Sequence, residues 1–118
     1  MTQKGVYTSA VTTAEVTSIE VHPPGRVPSV IGIILRDLES GRFYFRLRPG
    51  WTDTLAEAED REVVGALMVE FEQKLRAGST EFLDDLSEAS HLLRVTRSYI
   101  QTTNDLDTEL DHRILALK

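Results

Sequence analysis

Six consecutive residues without a polar side chain, Val30–Leu35, place the strongest constraint on how this chain can fold. Because side chains alternate between the two faces of a strand, a strand built from this run is apolar on both faces. Such a strand is typical of the middle of a sheet that is covered on both sides. The turn-like sequence Leu38–Gly41 and the alternating run Arg42–Arg48 follow, and together they predict an antiparallel hairpin.

The second strand of this hairpin separates apolar and basic side chains onto opposite faces. One face carries Phe43, Phe45 and Leu47. The other carries Arg42, Tyr44, Arg46 and Arg48. Three guanidinium groups beside a tyrosine ring can hold a phosphate or a carboxylate through paired hydrogen bonds. We therefore predict that this basic face binds an anionic ligand or an acidic partner, and a neighbouring strand could add Arg94 or Arg97.

The same basic face also has a structural interpretation. In that interpretation it is a solvated sheet surface whose arginines pair with the acidic residues of the helices. Surface ion pairs of this kind are common and contribute little to stability. Both interpretations stay open at the level of the sequence.

The rest of the chain changes between strand-like and helix-like patterns. Val6–Val21 alternates imperfectly near Glu15 and Val16, which predicts a bulged strand or two short strands. A capping-box sequence at Thr54–Glu57 predicts the start of a helix, and Ser79 can begin a second, shorter one. Strand character then returns at Leu92–Ile100, and a last helix follows Asn104 or Asp105. The three helical stripes are Val64, Leu67, Met68, Phe71 and Leu75; Phe82, Leu83 and Leu86; and Leu106, Leu110, Ile114 and Leu117.

The order of these elements, β-β-β-α-α-β-α, predicts a single α+β domain over residues 1–118. We expect an antiparallel β-sheet of three to five strands with the helices packed on one face. The doubly apolar strand at Val30–Leu35 then needs a cover on its second face. Either a helix or a second subunit can supply that cover, and the second choice predicts a homodimer through the sheet.

Charge and composition narrow the classes of partner. The net charge of −6 disfavours general binding to nucleic acid, because an acidic protein repels the phosphate backbone. The balance is +2 over residues 1–52 and −8 over residues 53–118, which leaves room for a local basic surface. The absence of cysteine excludes disulfides and thiolate chemistry. No apolar run approaches the ~20 residues of a membrane span, and the first residues lack a secretory pattern, so we expect a cytoplasmic protein without a membrane partner.

Patterns that carry catalysis or hold metals are weak in this chain. Glu88–His91 and Glu109–His112 have the Glu-x-x-His spacing of di-iron proteins, but such sites require a four-helix bundle and half of this chain has strand character. No nucleophile elbow, phosphate loop or zinc-protease motif is present. His22 could act as a general base in a loop. For Trp51, we favour a packing role over ligand stacking. We expect no catalytic residue, no metal and no cofactor.

Two blocks of sequence carry a family resemblance. The first joins the apolar strand Ile31–Leu35, the Asp-x-x-x-Gly turn Asp37–Gly41 and the Arg/Phe strand Arg42–Arg48. The second contains Leu93–Val95, followed by a helix with Glu109–Asp111. These blocks resemble a family of uncharacterised bacterial proteins, the domain of unknown function 3037. The resemblance implies no activity, and it suggests a protein partner, because such proteins often lie near a kinase-like neighbour.

These observations favour a non-enzymatic protein-interaction or accessory module that meets an acidic protein partner through the basic face. The alternative is a small enzyme or binding protein for a phosphate or carboxylate ligand. It would combine the arginines with His22 or His91. The alternative requires a concave pocket that brings a histidine to the basic strand.

Overall fold

A computed structural model describes residues 11–78 and 92–117 of the chain. In these residues four strands form one antiparallel sheet with the order β3-β2-β1-β4. The strands are β1 (Thr12–Val21), β2 (Ser29–Asp37), β3 (Phe43–Leu47) and β4 (Leu93–Thr102). Two helices, α1 (Ala58–Arg76) and α2 (Leu106–Leu115), and a short 3-10 helix at Trp51–Thr54 complete the described elements. The prediction of an α+β fold built on an antiparallel sheet is confirmed.

The predicted hairpin between β2 and β3 is confirmed, and its turn is fixed by one carboxylate. Asp37 accepts hydrogen bonds from the backbone N–H groups of Glu39, at 2.8 Å, and Ser40, at 3.2 Å. These bonds stabilise the ionised form, so they hold the pKa of Asp37 below its usual value. Gly41 closes the turn at a φ of +78°, in the left-handed region that favours glycine.

Two separate apolar clusters cover the two faces of the sheet. The α1-side cluster contains Ile19, Val21, Ile31, Ile34, Leu55, Val64, Met68, Phe71, Leu75, Leu92 and Leu93. The α2-side cluster contains Ala14, Val16, Ile33, Leu35, Leu106, Leu110 and Ile114. The expectation that the helices pack on one face is therefore corrected. The doubly apolar β2 draws a helix onto each face, and α2 supplies the second cover within one chain.

A bulge in β2 decides which of its side chains meets which helix. Ile19 pairs with Gly32 but Glu20 pairs with Val30, so Ile31 is an extra residue on β2. The bulge turns Ile31 to the α1 side, which it shares with Ile34. The bulge or break predicted near Glu15 and Val16 is wrong, because β1 is one continuous strand that pairs regularly at these residues and the extra residue lies on β2.

The start of α1 differs from the sequence pattern, whereas the start of α2 follows it. The segment predicted as a capping box ends the 3-10 helix instead, where the Thr54 hydroxyl donates to the carbonyl of Trp51 at 2.6 Å. Three residues separate the end of the 3-10 helix from α1, which begins at Ala58, and the N-cap Glu57 makes no side-chain cap bond. Helix α2 begins as predicted, because the Asp105 carboxylate accepts from the backbone N–H of Thr108 at 2.7 Å. The shorter helix predicted from Ser79 lies outside the described residues.

The length and hydropathy of the described helices decide whether either could cross a membrane. Neither of them is both long enough and apolar enough to span a bilayer.

Candidate functional site

The pairing of β3 with β2 positions the basic face. Leu47 lies opposite Gly32 and Tyr44 lies opposite Leu35, so β3 alternates in step with its neighbour. Its apolar residues Phe43, Phe45 and Leu47 pack against the α1-side cluster, while Tyr44 packs against the α2-side cluster. The predicted basic face comprises Arg42, Tyr44, Arg46 and Arg48. Its two central residues, Tyr44 and Arg46, lie beside α2, on the side that the alternation predicts.

Arg46 is held by two carboxylates of α2. Its Nη2 lies 2.8 Å from Asp107 and its Nε lies 3.1 Å from Asp111. The two aspartates are one helical turn apart, so they present their carboxylates on the same side of α2. The hydrogen bond to Asp107 is the largest cause that raises the pKa of Arg46 above its usual value. Arg46 therefore fastens α2 to the sheet, and its charge is balanced within the chain.

Arg42 stacks on the tyrosine of the same face. Its guanidinium carbon lies 5.8 Å from the centre of the Tyr44 ring, within cation–π distance. Tyr44 itself is half-buried against the α2-side cluster, which fixes the ring as a platform. Among the described residues no carboxylate comes within 4.0 Å of the Arg42 guanidinium, although Asp37 is near enough to interact with its charge.

Arg48 stands at the other end of the basic face. Its backbone N–H donates to the carbonyl of Ile31 at 2.7 Å, which carries the ladder one residue past the end of β3. Its half-buried side chain makes no ion pair with any residue in 11–78 or 92–117. The basic face thus has one internally balanced arginine flanked by two arginines without a carboxylate partner in the described parts of the chain.

Distance decides what two such arginines can hold together. Arg42 and Arg48 are six positions apart, which corresponds to about 20 Å between their backbone positions along a strand. A single phosphate or carboxylate is only a few ångströms wide, which is much less than the separation of the two backbone positions. An extended acidic segment places carboxylates on one face about every 7 Å, and it can reach both.

Strand β4 does not lie next to β3, so its arginines do not extend the basic face as predicted. Strand β4 lies at the opposite edge of the sheet from β3, about 14 Å away at the usual strand spacing. Arg94 pairs with Glu20 and Arg97 pairs with Thr17, so the two arginines lie on opposite faces. The sequence showed that both are on a strand, but the position of that strand in the sheet depends on contacts distant in sequence.

His22 has a hydrogen-bond partner that was not predicted from the sequence. The Glu20 carboxylate lies 2.9 Å from its Nε2, and both side chains are about one-third exposed. The signal was present, because residues two apart on a strand share a face, but the prolines after His22 suggested a loop. His22 instead continues the β1–β4 ladder, since its backbone N–H donates to the carbonyl of Leu92 at 2.6 Å.

Shallow cavities in the described part of the chain lie away from these groups. One of about 160 Å³ lies between α1 and β3 and is lined by Phe43, Phe45, Glu72, Leu75 and Arg76. Another, of about 280 Å³, lies beside the hairpin turn and is lined by Val11, Thr12, Thr13, Asp37, Leu38 and Glu39. Neither contains a histidine or an arginine of the basic face. Within residues 11–78 and 92–117, no three acidic or histidine side chains are placed to hold a metal ion.

Two other residues singled out in the sequence have clear positions. Trp51 packs against the α1-side cluster and approaches Gly65, so its predicted packing role is confirmed. His112 is exposed on α2, and His91 lies outside the described residues. Comparison with protein-family models, curated proteins and solved structures found no match.

Proposed function

We propose that this chain is a non-enzymatic protein-interaction module whose basic face binds an acidic segment of a partner protein. The observation that carries the proposal is the difference in ion pairing among the three arginines. Arg46 is neutralised by Asp107 and Asp111, while Arg42 and Arg48 have no carboxylate partner among the described residues. Two available cations at the ends of a row about 20 Å long fit an extended polyanion better than a compact anion.

The tyrosine platform supports the same proposal. Arg42 is preorganised over the ring of Tyr44, so it loses less side-chain freedom on binding than an unsupported arginine. A partner carboxylate therefore gains a hydrogen-bond donor that is already in position. Because the whole chain carries a charge of −6, its long-range field repels an acidic partner, so the contact depends on this local pair of arginines.

A binding measurement with defined variants tests the proposal. The probe is a fluorescein-labelled peptide of ten residues in which glutamate and threonine alternate, followed by fluorescence anisotropy at low salt. The double variant Arg42→Ala/Arg48→Ala should weaken binding at least tenfold, because two charge-assisted contacts are lost. The matched control Arg26→Ala/Arg76→Ala removes the same charge from exposed arginines elsewhere and should change binding less than threefold. Equal affinity in the wild type and the first variant would show the proposal to be wrong.

The alternative of a small enzyme or binding protein for an anionic ligand is supported by one observation. The hydrogen-bonded pair of His22 and Glu20 lies in the part of the sheet between β3 and β4, and each of those strands contributes an arginine to the same face. Titration with inorganic phosphate, followed by the ring signals of His22 in NMR spectra, separates the two functions. A saturable shift at millimolar phosphate favours the alternative, and unchanged signals favour the interaction module.

A further inference from the structure

Strand β3 forms one edge of the sheet, and half of its backbone groups point away from it. The Arg42 carbonyl accepts from the N–H of Asp37 at 2.9 Å. At the other end, the Arg48 N–H donates to the carbonyl of Ile31 at 2.7 Å. Because both bonds join directly opposite residues, the even-numbered positions bond to β2 and the odd-numbered positions point outward. The outward residues, each with one donor and one acceptor unpaired within the described ranges, are Phe43, Phe45 and Leu47.

A cavity with apolar walls lies on one side of this edge. Its volume is about 160 Å³, and its lining residues are Phe43, Phe45, Glu72, Leu75 and Arg76. Among the described residues none from β2 lines the cavity, so it opens beside the outer edge of β3 rather than over the middle of the sheet. An apolar cavity of about 150 Å³ holds a benzene molecule, so this one has room for a leucine side chain.

The basic face lies on the other side of the same edge. Tyr44 packs against the α2-side cluster, and the Arg42 guanidinium lies over its ring. Neither Arg42 nor Arg48 has a carboxylate partner in the described parts of the chain. Residues directly opposite each other on neighbouring strands have their side chains on the same face. A strand that pairs with β3 therefore has one row of side chains beside the cavity and the other row beside the basic face.

We propose that the acidic segment of the partner adds to β3 as an antiparallel strand, with acidic side chains on the basic face and an apolar side chain in the cavity. This inference rests on the proposed function and specifies how its partner is recognised. Antiparallel pairing is the more stable direction per residue, and each described strand pair has it. Backbone hydrogen bonds then supply affinity, and the alternation of acidic and apolar side chains supplies specificity.

Charge decides between an acidic strand and a second copy of β3 at this edge. The self-pairing that joins all the outward groups has its two-fold axis at Phe45. It places Arg42 directly opposite the partner's Arg48, and like charges in that position are destabilising. Natural sheet edges often carry charges that prevent such self-pairing. The same two arginines attract an acidic strand, so charge complementarity selects that occupant.

Peptides with blocked backbone N–H groups test the added strand and leave the protein unchanged. In the glutamate–threonine peptide the threonines lie opposite the outward residues of β3, so their N–H groups bond to the protein. The glutamate N–H groups point to solvent. N-methylation of two central threonines should weaken binding at least tenfold, because two backbone hydrogen bonds are lost. N-methylation of two central glutamates is the matched control and should weaken binding less than threefold. Equal effects of the two modifications would overturn the proposal.

A leucine in the peptide tests the role of the cavity. Replacement of one central threonine by leucine should tighten binding at least threefold, because apolar surface is buried beside β3 and α1. The matched control has the same composition, with the leucine and the adjacent glutamate exchanged. This exchange turns the leucine towards the basic face, so the control should bind more weakly than the glutamate–threonine peptide. Equal affinity of the two leucine peptides would contradict the proposal.

Amide hydrogen exchange, followed by NMR, locates the contact on the protein. With saturating peptide, the outward amides of Phe43, Phe45 and Leu47 should exchange at least tenfold more slowly. The amides of Tyr44 and Arg46 already face β2 and should change less than threefold. A peptide that binds through Arg42 and Arg48 without slowing the outward amides would overturn the added strand and leave the proposed function standing. A peptide that does not bind at all would contradict both.

Discussion

At the scale of single residues, the role of each arginine is set by what lies within a few ångströms of it. Arg46 and Arg48 are two positions apart along the chain, yet Arg46 meets two aspartates and Arg48 meets no described carboxylate. The alternation of the sequence predicts that the residues share a face. It cannot predict the ion pairs, because Asp107 and Asp111 are 61 and 65 residues away along the chain.

Replacing Gly32 or Gly65 by alanine should change the free energy of unfolding in opposite directions. A Cβ at Gly32 would lie 3.2 Å from a ring carbon of Phe45 and 3.3 Å from the backbone carbonyl of Arg46. Gly32→Ala should therefore lower the free energy of unfolding by about 1–3 kcal/mol. Gly65 lies inside α1, where the nearest atom, in Trp51, is 3.8 Å away. Gly65→Ala should raise the free energy of unfolding by about 0.5–1 kcal/mol.

Urea unfolding followed by circular dichroism measures both changes. The pair serves as its own control, because each variant adds one methyl group. If Gly32→Ala were as stable as the wild type, the close approach of β3 to β2 at this position would be wrong.

At the scale of elements, local interactions determine where α2 begins, and interactions distant in sequence determine where it packs. Its start is local, since Asp105 caps the backbone N–H of Thr108, and the sequence predicts it. Its apolar stripe of Leu106, Leu110 and Ile114 is also predicted. Its position on the face opposite α1 is not, because an apolar stripe specifies that a helix is buried but not which face of the sheet it covers.

The cap of α2 gives a prediction on pH. Hydrogen bonds from Thr108 hold the pKa of Asp105 below its usual value, and a bond from Thr102 does the same for Glu109. A carboxyl whose pKa is lowered by folding stabilises the fold above its unfolded pKa, and that contribution is lost as the pH falls through the folded pKa. The wild type should therefore lose stability from about pH 5 downwards.

Two variants at Asp105 separate charge from capping. Asparagine also caps helices but cannot titrate, so Asp105→Asn should lose less stability between pH 6 and pH 3 than the wild type. Asp105→Ala removes the cap and should be less stable than Asp105→Asn at both values. Thermal unfolding across this pH range checks both statements, and parallel curves for the wild type and Asp105→Asn would contradict the role of the carboxylate.

At the scale of the whole molecule, the sheet separates two surfaces. The basic face lies at the short edge formed by β3, and β4 forms the longer edge on the opposite side of the sheet. The hairpin follows from local turn chemistry at Asp37–Gly41 and from alternation in β3. The strand order does not, because β4 joins β1 across more than 70 residues of chain, as in the pairing of Val21 with Leu93.

The central claim is that the basic face binds an extended acidic segment through Arg42 and Arg48. The most direct test is an NMR titration that follows the side-chain Nε–H signals of the arginines while the glutamate–threonine peptide is added. The account predicts saturable shifts for Arg42 and Arg48, a much smaller shift for Arg46 because Asp107 and Asp111 hold it, and no competition from equimolar phosphate. Unchanged signals for Arg42 and Arg48, or displacement of the peptide by phosphate, would contradict it.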